Sequence, residues 1–169
     1  GETVESVDPA GRQVKFASGG GLGFEKLVMA PGSEPRTLPI PGIEHAPSLY
    51  SLQDARDIYS RLSGADTVAV IGGGFIGLEI AAAAAVSGKA VTVIEAAPQI
   101  LGRSLTPNLA ERIRSIHEEA GISIIDSVSV EKVTPDGVST DGGFIGADLV
   151  LCGAGSVPRT QLAETADLE

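Results

Sequence analysis

Residues 67–95 read TVAVIGGGFIGLEIAAAAAVSGKAVTVIE, and this stretch constrains the fold more than any other. Residues 68–71 are a short β-branched apolar run, the mark of a strand buried on both faces. Gly72, Gly74 and Gly77 follow at once, in the spacing G-x-G-x-x-G. Residues 75–86 are then apolar and Ala-rich, broken only by Gly77 and Glu79, which suits a helix pressed closely on a sheet. Gly88 ends that helix, residues 90–94 form a second buried strand, and Glu95 closes it eighteen residues after Gly77. The result is a strand–turn–helix–strand unit with an acid where the second strand stops.

Each part has a chemical reason. Gly72 allows a tight turn out of the first strand. Gly74 has no Cβ, so a pyrophosphate can approach the backbone. Gly77 lets the helix lie close to the strand. The free N–H groups and the positive dipole end of the helix then face the phosphates. Glu95 is placed to accept hydrogen bonds from ribose hydroxyls. A bare glycine pattern is weak in a chain with 22 glycines. Strand, glycines, helix, strand and terminal acid in this order make a stronger case for a dinucleotide site. A Rossmann-like unit that holds another nucleotide, or none, is the plain alternative.

Composition sets outer bounds. A chain of 169 residues makes one domain, or one plus pieces of another. It is 43% hydrophobic but only 4% aromatic, so its core is expected to be Val, Ile, Leu and Ala in an α/β layer architecture. A net charge of −10 argues against nucleic acid and anionic membranes as partners. The Ala-rich stretch fits a buried helix better than a membrane span. Cys152 is the only cysteine, which excludes an internal disulfide and a cysteine metal cluster. The chain begins with Gly1 and reads as a segment of something longer.

The rest divides around the central unit. Residues 3–7, 13–17 and 24–30 read as a three-strand meander, with turns at residues 8–11 and 18–21. Pro35, Pro39, Pro41 and Pro47 keep the next segment extended, a natural domain boundary. Ser51, with Asp54 three residues on, looks like a helix N-cap, and Leu52, Ala55, Tyr59 and Leu62 are expected on the buried face. After Glu95 comes a loop with Pro98 and Gly102. Thr106-Pro107 then starts a helix with Leu109, Ile113, Ile116 and Ala120 on its apolar face. Residues 122–125 are a third parallel strand. Residues 128–133, 138–140 and 144–145 form a small antiparallel meander, and residues 148–152 a last buried strand.

Read together, LVMAPGSEPR, VIGGGFIGLE, VIEAAPQILGR, HEEAGI and VLCGAGSVPR resemble the pyridine nucleotide-dependent FAD oxidoreductases, in the branch of NADH-dependent ferredoxin and rubredoxin reductases. The resemblance implies a three-layer Rossmann-like parallel sheet with an antiparallel β-meander, flanked by strands of a truncated FAD domain. It implies that residues 48–153 are the NAD(H)-binding domain. Residues 1–47 would be a partial FAD-domain segment, and residues 154–169 the start of the return to it.

The resemblance also carries functional positions. Gly72, Gly74 and Gly77 resemble the pyrophosphate-binding glycines. Phe75 and Ile76 sit where the family lines the nicotinamide pocket, and Glu79 matches a carboxylate beside the nicotinamide. Glu95 matches the ribose-binding acid. Gly153, Ala154 and Gly155 resemble the strand-end loop under the dinucleotide. Arg103 could touch the dinucleotide or cap its loop. Two departures bear on flavin-side contacts. Ala30-Pro31-Gly32 stands where the family has Ala-Thr-Gly, and Leu49-Tyr50-Ser51 where it often has Leu-Arg-Thr.

The implied cofactor is NAD as NADH, with FAD belonging to the parent enzyme and not expected in this segment. No catalytic side chain and no metal site are expected. An iron–sulfur protein, ferredoxin or rubredoxin, would take the electrons in a cytoplasmic setting. The isolated segment is expected to bind NADH without turnover and to self-associate through exposed FAD-domain strands. A stand-alone NAD-binding or sensor module is the competing reading. A methyltransferase-type nucleoside site is disfavoured by the Gly77-Leu78-Glu79 helix start and the late meander.

Overall fold

A computed structural model describes residues 1–166 of the chain. In order these form strands β1 (Val4–Asp8), β2 (Gln13–Phe16), β3 (Gly21–Gly23) and β4 (Ser33–Pro35), then a 3-10 turn (Ile43–His45) and helix α1 (Leu52–Leu62). Next come β5 (Thr67–Ile71), α2 (Phe75–Val86), β6 (Ala90–Ile94), α3 (Pro107–Glu119) and β7 (Ser123–Ile125). Strands β8 (Val130–Thr134), β9 (Gly137–Thr140), β10 (Gly143–Gly146), β11 (Leu149–Cys152) and β12 (Ser156–Pro158) and the short helix α4 (Gln161–Glu164) complete it. The residues gather into two compact units. One is Gly1–Glu34 with the segment that begins at Ser156; the other is Pro35–Gly155.

The larger unit is built on a parallel sheet in the order β11-β5-β6-β7. Its register aligns Val68 to Ile71 with Val91 to Ile94 on one side and with Leu149 to Cys152 on the other. Side-chain alternation along the strands makes two cores. Val68, Val70, Val91, Val93, Leu149 and Leu151 pack with Leu78, Ile80, Ala81 and Ala84 of α2 and with Ile58 of α1. Ala69, Ile71, Ile94, Val150 and Cys152 pack on the opposite face with Val133 and Val138 of the antiparallel β10-β9-β8 meander. Helices, parallel sheet and meander are therefore three layers, as the family resemblance implies.

Residues 35–47 also belong to this unit. Leu38, Ile40 and Ile43 pack on the meander-side core. The Val133 amide donates to Pro41 O at 2.9 Å, and the Cys152 amide to Pro47 O at 3.0 Å. Proline supplies no N–H, but its carbonyl still accepts.

Helix α1 begins as expected. The Asp54 amide donates to Ser51 Oγ at 3.1 Å, and the Ser51 amide donates to Asp54 Oδ2 at 2.7 Å, a complete capping box. Its buried face agrees with the expected one at Ala55 and Leu62, both partly buried, and differs at Leu52 and Tyr59. Ile58 is buried with Leu62 beside it, whereas Leu52 and Tyr59 stand 69% and 76% exposed. In helix α3 the expected Ile113 packs on the core with buried Ala110, whereas Leu109 and Ile116 are half-exposed.

The smaller unit holds an antiparallel meander in the order β1-β2-β3. Val7 and Val14 are buried there with Ala166, beside Phe16, Phe24, Met29 and Leu162. The third strand is Gly21–Gly23, where residues 24–30 were expected. Gly19 and Gly20, both at positive φ, return the chain early, so Val14 pairs with Leu22. Residues 24–30 form no strand; Leu27 is 39% and Val28 90% exposed.

Candidate dinucleotide site at the carboxyl edge of the sheet

The parallel register continues one residue past the strands. The Gly72 amide donates to Ile94 O at 2.8 Å, the Gly153 amide to Ile71 O at 2.7 Å, and the Glu95 amide to Ile125 O at 2.8 Å. Gly72, Gly153 and Glu95 thus stand in one row at the carboxyl edge. The chain moves from β5 through β6 to β7 on one side and returns to the other side of β5 as β11. The strand order reverses at β5 and β11, and crevices for ligands in open α/β sheets form at such a point.

The three glycines of the turn do different work. Gly72 has φ 104°, a conformation that side chains rarely adopt. A Cβ on Gly77 would overlap the Gly72 carbonyl oxygen, and one on Gly153 would stand 2.8 Å from Gly77 Cα. Both glycines serve the close approach of α2 to the strand ends. Gly74 differs: it has an ordinary extended φ of −81°, and a Cβ there would meet nothing within 4 Å. The polypeptide itself does not require glycine at that position; the space is open to a ligand.

Gly74 is the N-cap of α2, and no side chain caps this end. The first intrahelical bond runs from the Leu78 amide to Gly74 O at 3.0 Å. The amides of Phe75, Ile76 and Gly77 precede it, at the positive end of a twelve-residue helix. Such an end accepts a phosphate.

Glu95 is held from two sides. The Gly73 amide donates to Oε2 at 2.7 Å and the Ala97 amide to Oε1 at 2.8 Å. A carboxylate has about four acceptor sites, so each oxygen keeps capacity for a further donor such as a ribose hydroxyl. The loop after Glu95 then packs back on the turn. The Leu101 amide donates to Gly73 O at 2.9 Å, with Ile100 and Leu101 both buried.

These elements enclose a cleft of ≈ 360 Å³. Gly74, Phe75 and Ile76 form one wall and Gly153 and Gly155 another. The third wall comes from Glu95, Ala97, Gln99 and residues 101–104. Of the residues expected in a site, Gly74, Phe75, Ile76, Glu95, Gly153 and Gly155 come together here. Gly72 and Gly77 lie behind the wall as packing glycines. Ala154 packs against the meander-side core, and Glu79 is exposed on α2 outside the cleft lining. Arg103 lies on the wall; Gln99 and Ser104 join it and were not singled out from sequence. Their signal was faint, two uncharged polar residues scattered through a loop. Among the described residues no group of three or more His, Cys, Asp or Glu could hold a metal ion, and Cys152 is a buried free thiol.

A parallel sheet with a glycine turn, an uncapped helix end and an acid on the next strand defines a Rossmann-like α/β protein. The chain belongs to the pyridine nucleotide-disulphide oxidoreductase family, which it matches over residues 1–169. It is 39% identical to a terpredoxin reductase from a Pseudomonas species over 99% of this chain and 43% of that protein. It is 34% identical to a rubredoxin-NAD(+) reductase from Pseudomonas putida over 98% of this chain and 45% of the relative. A crystal structure of a ferredoxin reductase from Rhodopseudomonas palustris superposes with a TM-score of 0.91 at 32% identity, covering 99% of this chain and 44% of that one. The chain thus spans less than half the length of these relatives. Among the described residues no helix is long and apolar enough to cross a membrane.

Proposed function

We propose that residues 35–155 bind NADH, as the NADH-binding domain of a flavoprotein reductase whose flanking segments belong to its FAD domain. The observation that carries this reading is the empty space at Gly74, between the uncapped end of α2 and the Glu95 carboxylate. The amides of Phe75 and Ile76 would receive the pyrophosphate, and Glu95 the 2′- and 3′-hydroxyls of the adenosine ribose. Arg103 forms no ion pair among the described residues and adds a positive charge to the cleft wall. Phe75 and Ile76, 55% and 42% exposed, offer apolar surface for the nicotinamide ring, with Glu79 beyond them on the same helix. Gly153, Ala154 and Gly155 would run beneath the dinucleotide.

When bound, NADH supplies a hydride to FAD of the whole protein, from which electrons pass on to a ferredoxin or rubredoxin. Relatives named for rubredoxin and terpredoxin support that acceptor class. The chain's own part is orientation and electrostatics. Alone, it binds NADH without turnover.

Titration of NADH into the purified chain, followed by cofactor fluorescence or calorimetry, tests the assignment. Saturable binding is expected, from a protein that is colourless because its single glycine-turn unit is assigned to NADH. No binding overturns the assignment, and a stoichiometric yellow flavin retained through gel filtration overturns the division of cofactors. Reading the native gene on both sides separates a reductase domain from a stand-alone NAD-binding module.

A further inference from the structure

We propose that Glu95 also holds the phosphate-binding turn in shape, and so positions a pyrophosphate that it does not touch. This rests on the dinucleotide reading above. That reading gives Glu95 a single duty toward the ribose, yet both of its carboxylate oxygens accept bonds from backbone amides. One of those amides belongs to Gly73, next to the residue that caps α2. The other, on Ala97, ties the acid to its own loop.

Gly73 is gripped on both sides of its backbone. Its N–H donates to Glu95 Oε2, and its carbonyl accepts from the Leu101 amide at 2.9 Å. It is buried against Ile100, whose Cγ2 lies 2.7 Å from where a Cβ would stand. Leu101 is itself buried and held at φ 54°, a conformation uncommon for a residue with a side chain. Removing the carboxylate leaves the buried Gly73 N–H without an acceptor, a costly state that the turn would relieve by moving. A move at Gly73 re-aims Gly74 and the first amides of α2. Phosphate affinity therefore depends on Glu95 through the backbone.

The test uses NADH and an NADH analogue whose adenosine ribose lacks both hydroxyls. Each is titrated into the wild type, Glu95→Ala and Glu95→Gln. The analogue has nothing to donate to residue 95, so a pure ribose contact leaves its affinity equal in all three proteins. The clamp predicts a loss on the order of tenfold for Glu95→Ala even with the analogue. Glu95→Gln should fall between, because one amide oxygen can serve only one of the two N–H groups. Equal analogue affinity overturns the proposal. Hydrogen exchange reads the clamp without any ligand. The Gly73 and Ala97 amides should both exchange faster in Glu95→Ala, and at least one of them in Glu95→Gln, while those of β11 hold; unchanged protection at Gly73 in Glu95→Ala, or at both amides in Glu95→Gln, overturns it. If NADH fails to bind the wild type, the dinucleotide reading fails, and the exchange experiment still decides the clamp. If Glu95→Ala does not fold, Glu95→Gln carries both measurements.

Discussion

Gly77 lies so close to Gly72 that a Cβ on Gly77 would overlap the Gly72 carbonyl oxygen, with Val70 Cγ1 3.5 Å away. The Gly153 backbone closes on the same point. One methyl group has no room, and its obstacles are backbone atoms that cannot swing aside. Gly77→Ala should lower the unfolding free energy by about 1–3 kcal/mol or more, read as a fall in denaturant midpoint. An unchanged midpoint would show that α2 can shift freely on the sheet.

Gly74 gives the opposite expectation. Its Cβ direction is empty and its φ is ordinary. Gly74→Ala should leave thermal stability within about 0.5 kcal/mol of the wild type while cutting NADH affinity at least about tenfold. A variant that binds NADH normally would show that the open space is not where the pyrophosphate lies.

Glu95 should select NADH over NADPH. A 2′-phosphate would set negative charge against the carboxylate and lose a charge-assisted hydrogen bond, a cost of about 1.5–3 kcal/mol. That is roughly one to two decades in affinity. Ala96, Ala97 and Pro98 offer no cation to a phosphate, and Arg103 is the first one beyond them. Glu95→Ala should weaken both cofactors through the turn and narrow the gap between them. Equal affinity in the wild type, or an unchanged gap in the variant, removes Glu95 as the discriminator.

At the opposite edge of the sheet, Asp148 accepts from Thr67 Oγ1 at 2.7 Å, the Thr67 amide at 2.9 Å and the Asp66 amide at 3.0 Å. The Thr67 hydroxyl, then the Thr67 and Asp66 amides, hold its pKa below the ordinary 3.8. A carboxyl with a depressed folded pKa contributes stability that is present above the unfolded value and lost as pH falls through the folded one. Stability curves for the wild type and Asp148→Asn should therefore converge as pH is lowered through 4 and below. A constant separation from pH 7 to 2 would count against this. Asp54 at the α1 cap shifts in the same direction and leaves a residual slope in the variant.

Residues 24–30 carry exposed Leu27 and Val28 in a segment without strand partners. Exposed apolar, extended segments pair with other copies. The isolated chain should self-associate with rising concentration in sedimentation, and Val28→Lys should suppress this without affecting NADH titration. A wild type that is monomeric at all concentrations removes the idea.

The sequence by itself determined the unit from β5 to Glu95, because its constraints are local. β-branched runs, a helix-length apolar stretch and glycines at fixed spacing each act within a few residues. The capping box at Ser51 and Asp54 was legible for the same reason. Tertiary structure alone decided that Ile58 joins the expected Leu62 on the buried face of α1 while Leu52 and Tyr59 stay exposed, since all four are apolar enough to bury. It decided that residues 24–30 form no strand, because a strand exists only with a ladder partner. It joined Asp148 to Thr67 and brought Arg103, Gln99 and Ser104 to the cleft. It also turned Glu95 back onto the Gly73 amide, a bond between residues 22 apart that parallel register and a tight turn bring together. Contacts of that kind leave no periodicity in the chain, because the distance that matters to them is measured through the fold.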